Sequence, residues 1–263
     1  MTNNLLSVIV PAYKQEKTIK KDLENIDKTL SAGLGNYDYE IICVVDGKLD
    51  KTWEEAEKAK SPKVKVVGYD VNHGKGFAVR YGFANSKGNL VSFLDAGMDI
   101  SPEGVMMLMS HMEWYNADIV VGSKRHPDSK VNYPFSRRIL SIGYHMGVKI
   151  LFGLDLTDTQ SGIKLFKREV VQAILPRLLV KRYAMDIEML AVAKYLGFGR
   201  IYEGPIEVTF DASNSGISRN AVFNMFWDTL AVFYRLKILR YYDDKNKNNW
   251  LIDPKLKVLL AKT

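Results

Sequence analysis

Asn72-His73-Gly74-Lys75-Gly76-Phe77-Ala78-Val79-Arg80, followed by Leu90-Val91-Ser92-Phe93-Leu94-Asp95-Ala96-Gly97-Met98-Asp99, decides how this chain reads. The first run is a glycine-rich basic turn leading into a helical pattern. The second is an apolar strand that ends abruptly in acids. Together they suit a diphosphate: turn amides, Lys75 and Arg80 can meet the anion. Carboxylates at a strand's carboxyl end can hold a divalent cation against the same phosphates. Each half also has an ordinary reading. Gly-Lys-Gly is a common turn, and an Asp after an apolar strand is often a turn or cap residue. Ser101-Pro102-Glu103 is a good helix start, with Ser as cap, Pro in the first turn and an acid at the positive end of the dipole. That accounts for Glu103. It does not account for Asp95 and Asp99 together behind a buried strand.

Outward from this stretch, strands alternate with helices. Apolar runs predict strands over 6–10, 40–45, 64–69, 90–94 and 118–122, and helical spacing covers 18–30, 51–60, 76–85 and 102–115. The alternation implies an α/β fold built on a mostly parallel sheet, with ligands at the strands' carboxyl ends. Three of those ends carry suitable groups: Pro11-Ala12-Tyr13, Asp46 and Asp95. The methionines at 106, 107, 109 and 112 sit on one predicted helix and read as packing.

Composition bounds the remaining choices. The chain has 263 residues, enough for one α/β domain with an elaboration, and 47% hydrophobic residues, enough for a proper core. Its single cysteine, Cys43, lies inside the apolar run 41–45, which excludes an intramolecular disulfide and points to a reducing compartment. The formal charge of +7 favours acidic partners. Basic and aromatic residues do not interleave as they do on nucleic-acid-binding surfaces, so nucleic acid is not expected. The N-terminus is polar for four residues and does not read as a signal peptide, and no run of 18 apolar residues is present to span a membrane.

Several segments, in order, carry a resemblance. They are Val8-Ile9-Val10-Pro11-Ala12-Tyr13, Val44-Val45-Asp46-Gly47 with Asp50 and Thr52, the runs 72–82 and 93–103, and Gly122-Ser123. Asp158-Thr159-Gln160-Ser161-Gly162-Ile163-Lys164-Leu165-Phe166 and Asp186-Ile187-Glu188 complete the set. The chain resembles the family 2 glycosyltransferases, and within them the polyprenyl-phosphate (dolichyl-phosphate) glycosyltransferases. The resemblance implies a GT-A type nucleotide-sugar-binding catalytic domain over 1–215. It implies inverting transfer of a hexose to a polyprenyl phosphate, with UDP-glucose favoured over GDP-mannose as donor.

The resemblance also suggests roles. Pro11, Tyr13 and Glu16 would lie along the nucleotide, with Asp46 near its base or ribose and Lys75 and Arg80 flanking base or phosphates. Asp95 is the first acid of the family's Asp-x-Asp element, the Asp95-Ala96-Gly97 turn, which binds the diphosphate through Mg²⁺ or Mn²⁺. Gly97 stands where the second acid is usual, and Asp99 falls where relatives often carry Gln, so Asp95 and Asp99 are expected to share the metal. One or two carboxylates plus phosphate oxygens suffice for Mg²⁺. Lys124 and Arg125 compete for one acceptor contact. Arg138, Ser141, His145 and Lys149 form a polar helical stripe, of which Arg138 and Ser141 are expected to meet the acceptor phosphate, while His145 and Lys149 read as a solvated face. Gln160 and Ser161, in the 158–166 signature loop, would face the transferred sugar. Asp186 and Glu188 are the base candidates if the acceptor is a hydroxyl. An anionic lipid phosphate needs no base.

Residues 216–263 read as a helix followed by a polar tail. Over 220–241, Asn220, Asn224, Asp228 and Arg235 make one narrow stripe, and Phe223, Phe226, Trp227, Leu230, Phe233, Tyr234 and Leu236 fill the rest, with Arg219, Lys237 and Arg240 at the ends. Such a helix fits a membrane interface, and equally packing on the catalytic domain or on an oligomer partner. The expectation is peripheral attachment at the cytoplasmic face of a membrane, with a separate membrane partner as one means of it. Two other readings compete: transfer to a saccharide or protein hydroxyl, and a catalytically silent nucleotide-sugar binder.

Overall fold

The five expected apolar runs become strands in the computed structural model, which describes residues 4–131, 135–182, 184–208, 219–250 and Leu256; the side chains of 130–142 and 219–222 lie outside the description. The strands are β1 (Leu5–Ala12), β2 (Asp38–Asp46), β3 (Val64–Tyr69), β4 (Leu90–Leu94), β5 (Ile119–Ser123), β6 (Lys130–Val131), β7 (Ile163–Lys167), β8 (Ile201–Pro205) and β9 (Glu207–Val208). Seven form one sheet in the order β3-β2-β1-β4-β7-β5-β8, and β6 pairs with β9 separately. Only β7 runs against its neighbours, between β4 and β5. It occupies the second half of the expected signature loop: Ile163, Leu165 and Phe166 are fully buried, so 163–167 is strand and only 158–162 is loop.

The helices are α1 (Ile19–Gly33), α2 (Thr52–Glu57), α3 (Lys75–Asn85), α4 (Glu103–Trp114), α5 (Phe135–Phe152), α6 (Arg168–Ile174), α7 (Met185–Tyr195) and α8 (Arg219–Phe233). They cover both faces of the sheet, which explains why the central strands read as continuous apolar runs rather than alternating ones. On one face Val8, Val10, Ile41 and Cys43 pack with α1 and α4; on the other Ile9, Ile42 and Val44 pack with α3, α6 and α7. The apolar stripe of α1, Ile19, Leu23, Ile26 and Leu30, is fully buried, as helical spacing requires. Of the four α4 methionines, Met112 is buried and Met106 and Met109 pack at the core edge, while Met107 is exposed.

After α8 the chain makes a π-helical turn (Tyr234–Ile238) and re-enters the core: Leu236, Tyr242 and Leu256 are buried in the same cluster as α7. Among the described residues no helix is long and apolar enough to cross a membrane.

Candidate functional site

The parallel pairing of β2, β1 and β4 aligns their carboxyl ends, with Ala12 opposite Val45 and Ile9 opposite Phe93. Pro11, Tyr13, Asp46 and Asp95 therefore share one edge of the sheet. Tyr13 is half-exposed there, and Glu16 accepts a hydrogen bond from the Lys51 amide (3.2 Å), tying the loop after β1 to the start of α2.

The turn at 72–76 bridges this edge. Asp46 is only 3% exposed, and both its oxygens are saturated. Oδ1 accepts from Tyr69 Oη (2.9 Å) and the His73 amide (2.8 Å), Oδ2 from Asn72 Nδ2 (2.7 Å) and the Gly74 amide (2.9 Å). The Gly76 amide donates to the Lys181 carbonyl (2.8 Å). The expectation that these amides bind phosphate is corrected accordingly: those of 73, 74 and 76 already have partners in the protein. The glycines have a packing reason as well. Gly74 has φ +96°, and a Cβ there would sit 2.6 Å from the Lys181 carbonyl oxygen; one at Gly76 would sit 2.6 Å from that of Val180.

What the turn delivers is the Lys75 side chain. Its ammonium lies 2.6 Å from Asp95 Oδ2. Burial alone would lower the Lys75 pKa, but Asp95 and then Asp186 outweigh it and raise it above the ordinary value. Asp95 is fixed from behind. Its amide donates to the Gly162 carbonyl (3.0 Å), and a Cβ at Gly162 would run into its carboxylate. Its other oxygen, Oδ1, is buried and has no hydrogen-bond partner. The next turn is pinned by Asp22 of α1, whose carboxylate accepts the Gly97 amide (3.0 Å) and is raised in pKa by its burial. Gly97 at φ +95° and Met98 at φ +57° turn the chain so that Asp99 is exposed.

A second charge pair lies beneath. Lys164 on β7 is fully buried, ion-paired with Asp186 at the start of α7, and donates to the Ser161 carbonyl (2.8 Å). The Lys75 and Lys164 ammonium groups both approach the Phe93 ring, at 5.7 and 5.2 Å. Burial lowers the Lys164 pKa, with Asp186 opposing. No role is expected for Lys164 from sequence, yet a lysine inside the apolar strand Ile163-Lys164-Leu165-Phe166 requires a buried counter-charge, and that signal was legible. Asp22 gave no such signal.

Glu188, one helical half-turn from Asp186, points elsewhere. It accepts from the Leu179 amide (3.0 Å), the Val180 amide (2.8 Å) and Tyr242 Oη (2.7 Å), with Arg235 3.7 Å away. Burial raises its pKa despite these partners. It anchors the 179–180 segment to the C-terminal segment. The expected Asp186/Glu188 pair is thus split, and only Asp186 joins the cluster around Lys75.

The remaining candidates are placed as follows. Arg80 is buried on α3, its guanidinium 5.9 Å from the Phe77 ring. The Lys124 amide donates to Asp158 Oδ2 (3.1 Å) and the Arg125 amide to Ser123 Oγ (3.2 Å), so both residues leave β5 on a braced turn. Gln160 Nε2 reaches Met225 Sδ of α8 (2.7 Å), and Ser161 is fully buried. Arg138 and Ser141 lie outside the described side chains. His145 does not sit on a solvated face: it is half-buried, and burial, then the charge of Arg125, lower its pKa. Of the stripe expected over 220–241, Arg235, in the π-helical turn after α8, donates to Tyr242 Oη (3.2 Å), while Phe223, Phe226 and Trp227 of α8 are 61, 51 and 54% exposed. Met146 and Ile150 of α5 are exposed too.

The model of glycosyl transferase family 2 matches residues 7–175. The chain is 36% identical over 205 residues to a dolichyl-phosphate beta-glucosyltransferase of Drosophila melanogaster, a match covering 73% of this chain and 63% of that protein. A dolichyl-phosphate beta-glucosyltransferase of Trichomonas vaginalis is 33% identical over 253 residues, 92% of this chain and 77% of the relative. The fold is similar to that of glucosyl-3-phosphoglycerate synthase from Mycobacterium tuberculosis, solved with Mn²⁺, UDP-glucose and phosphoglyceric acid. That likeness has TM-score 0.65 at 21% identity and covers 88% of this chain and 79% of that one.

Proposed function

Since the chain belongs to glycosyl transferase family 2, we propose that it transfers glucose, with inversion, from UDP-glucose to a polyprenyl phosphate at a membrane surface. One observation carries this reading. At the carboxyl ends of three adjacent strands, a carboxylate with one oxygen free of any hydrogen bond (Asp95) meets an ammonium (Lys75), the pairing that a cation-bound diphosphate needs. The names of the relatives support the sugar and the lipid.

Asp95, whose Oδ1 has no hydrogen-bond partner, and Asp99 are the residues that would hold Mg²⁺ or Mn²⁺. Such an ion, when bound, supplies positive charge to the departing diphosphate. Lys75 adds a second cation on the same side. Pro11, Tyr13 and Glu16 border the nucleotide, and Asp46 shapes the nucleotide side of the site through the turn that it holds. An acceptor phosphate oxygen attacks the sugar's anomeric carbon. The new carbon–oxygen bond forms as the bond to the β-phosphate breaks, and the electron pair leaves with UDP. The acceptor is already anionic, so no proton has to be removed, and the acceptor side requires cations to position it. Lys124, Arg125, Arg138 and Ser141 are assigned that task. Gln160 and Ser161 sit beside the sugar, and Asp186, held by Lys164, forms the wall beneath it.

In this reading residues 1–215 carry the chemistry and 216–263 the membrane contact. The exposed aromatic face of α8, continued by Tyr234, Ile238 and Leu239 and flanked by Lys237 and Arg240, suits a lipid interface on the cytoplasmic side. The deciding experiment is transfer to a short polyprenyl phosphate in detergent. UDP-glucose, UDP-galactose, UDP-N-acetylglucosamine and GDP-mannose are offered separately with Mg²⁺, Mn²⁺ or EDTA, and product is detected by mass spectrometry. A glucosyl phospholipid from UDP-glucose alone is expected. No lipid product from any donor, despite UDP binding, would move the acceptor to a hydroxyl.

A further inference from the structure

We infer that Lys75 makes divalent-cation binding at Asp95 conditional on the donor's diphosphate; the inference rests on the nucleotide-sugar reading above. The argument begins with charge. Around the Phe93 ring stand two ammonium groups, Lys75 and Lys164, and two carboxylates, Asp95 and Asp186, so the cluster sums to zero before any ligand arrives. Lys164 is locked to Asp186 and the Ser161 carbonyl, and it is fully buried. Lys75 is the adjustable member: its side chain is 38% exposed, and its partner Asp95 keeps Oδ1 without a hydrogen bond.

The protein's own ligand set for a cation is thin. Among the described residues no three His, Cys, Asp or Glu side chains gather to hold a metal, and glycine occupies position 97. A divalent cation arriving without a nucleotide would therefore share Asp95 with an ammonium 2.6 Å from its other oxygen, leaving a local excess of one positive charge even with Asp99 counted. A diphosphate carries enough negative charge to remove that excess and gives the ammonium a second anion to face. Cation and nucleotide then bind as a coupled pair, and by reciprocity each tightens the other by the same factor. The ion is therefore held weakly in the empty protein and more tightly once the diphosphate is present.

The test uses the full-length protein and Mn²⁺, with free ion counted by electron paramagnetic resonance, in the presence and absence of UDP. Wild type, K75M, K75R and K14M are compared. Lys14 lies over the Tyr13 ring and makes no contact with Asp95, so K14M reports the general effect of removing one positive charge from the mouth of the site. In K75M, Mn²⁺ alone is expected to bind about tenfold more tightly than in wild type, and the tightening by UDP is expected to shrink by a similar factor. K75R and K14M should behave as wild type. Equal Mn²⁺ affinity in K75M and wild type without UDP overturns the inference, as does a gain of the same size in K14M. Failure of every variant to bind UDP by calorimetry, a separate result, defeats the nucleotide-sugar reading instead, while the Mn²⁺-alone arm still judges Lys75.

Discussion

Asp46 and Asp95 end neighbouring regions of one sheet, each following a buried run of five residues, 41–45 and 90–94, and their carboxylates do opposite things. At β2, two backbone amides, a phenol and a side-chain amide fill both oxygens of Asp46, and the group is shut away from solvent. At β4, Asp95 is held on one oxygen by a single ammonium, and its other oxygen has no partner. The same residue type after an apolar run is a saturated rivet in one region and keeps an unpartnered oxygen in the other. The difference lies in what closes over each carboxylate. Onto Asp46 the 72–74 turn, which follows β3, folds back. After Asp95, glycine at φ +95° and the Asp22 staple carry the chain away, and no amide folds back onto the carboxylate.

The contrast is best broken by exchanging its consequences. Asp95→Ala is expected to reduce transfer about 10³-fold, because it removes the group that organises charge on the leaving diphosphate, and to leave the urea midpoint nearly unchanged. Asp46→Ala should do the reverse in kind, costing about 3 kcal/mol of folding stability in urea titrations by stranding four buried or half-buried donors. A large stability loss in the first variant, or none in the second, would erase the distinction.

Gly162→Ala sharpens it. The new methyl would displace the Asp95 carboxylate without removing it, and a shift on that scale should lower kcat about 10²-fold with little change in unfolding. The smallest effect is expected at the far end of the sheet. Asp118, before β5, is buried but bonded to Arg200. Burial pushes its pKa up, and the Arg200 bonds outweigh that, so the folded value lies below 3.8. A depressed carboxylate pKa stabilises the fold above 3.8 and loses that contribution as pH falls through the folded value. Asp118→Asn should therefore cost about 1–2 kcal/mol at pH 7 and progressively less below pH 3.8, with Mn²⁺ and UDP affinity untouched, as urea titrations across pH would read.

The strand ends were legible because apolar runs stop at Pro11, Asp46 and Asp95, and a parallel sheet must then bring those ends together. The partners were not legible, because they are distant in the chain. Nothing near Gly74 and Gly76 announces that 180–181 will press against them, so the glycines read as a phosphate cradle. Nothing near Glu188 announces Tyr242, so it read as a twin of Asp186. The orientation of the 220–241 helix was open in the sequence for a related reason: Arg235 meets Glu188 and Tyr242, while Phe223, Phe226 and Trp227 are exposed. Periodicity marks two sides of a helix without saying which is inside.

The contacts between the 72–76 turn, residues 179–181 and Tyr242 also set a timetable for the newborn chain. β1 to β4 can pair while the rest of the chain is still being made, since all four end by Leu94. The Gly76 amide nevertheless waits for the Lys181 carbonyl, 105 residues downstream (181 minus 76), a delay of roughly 5–20 s at ordinary synthesis rates. Glu188 then waits for Tyr242. The half of the molecule made first is the half whose binding edge is finished last, and an unfinished copy has a sheet before it has a site.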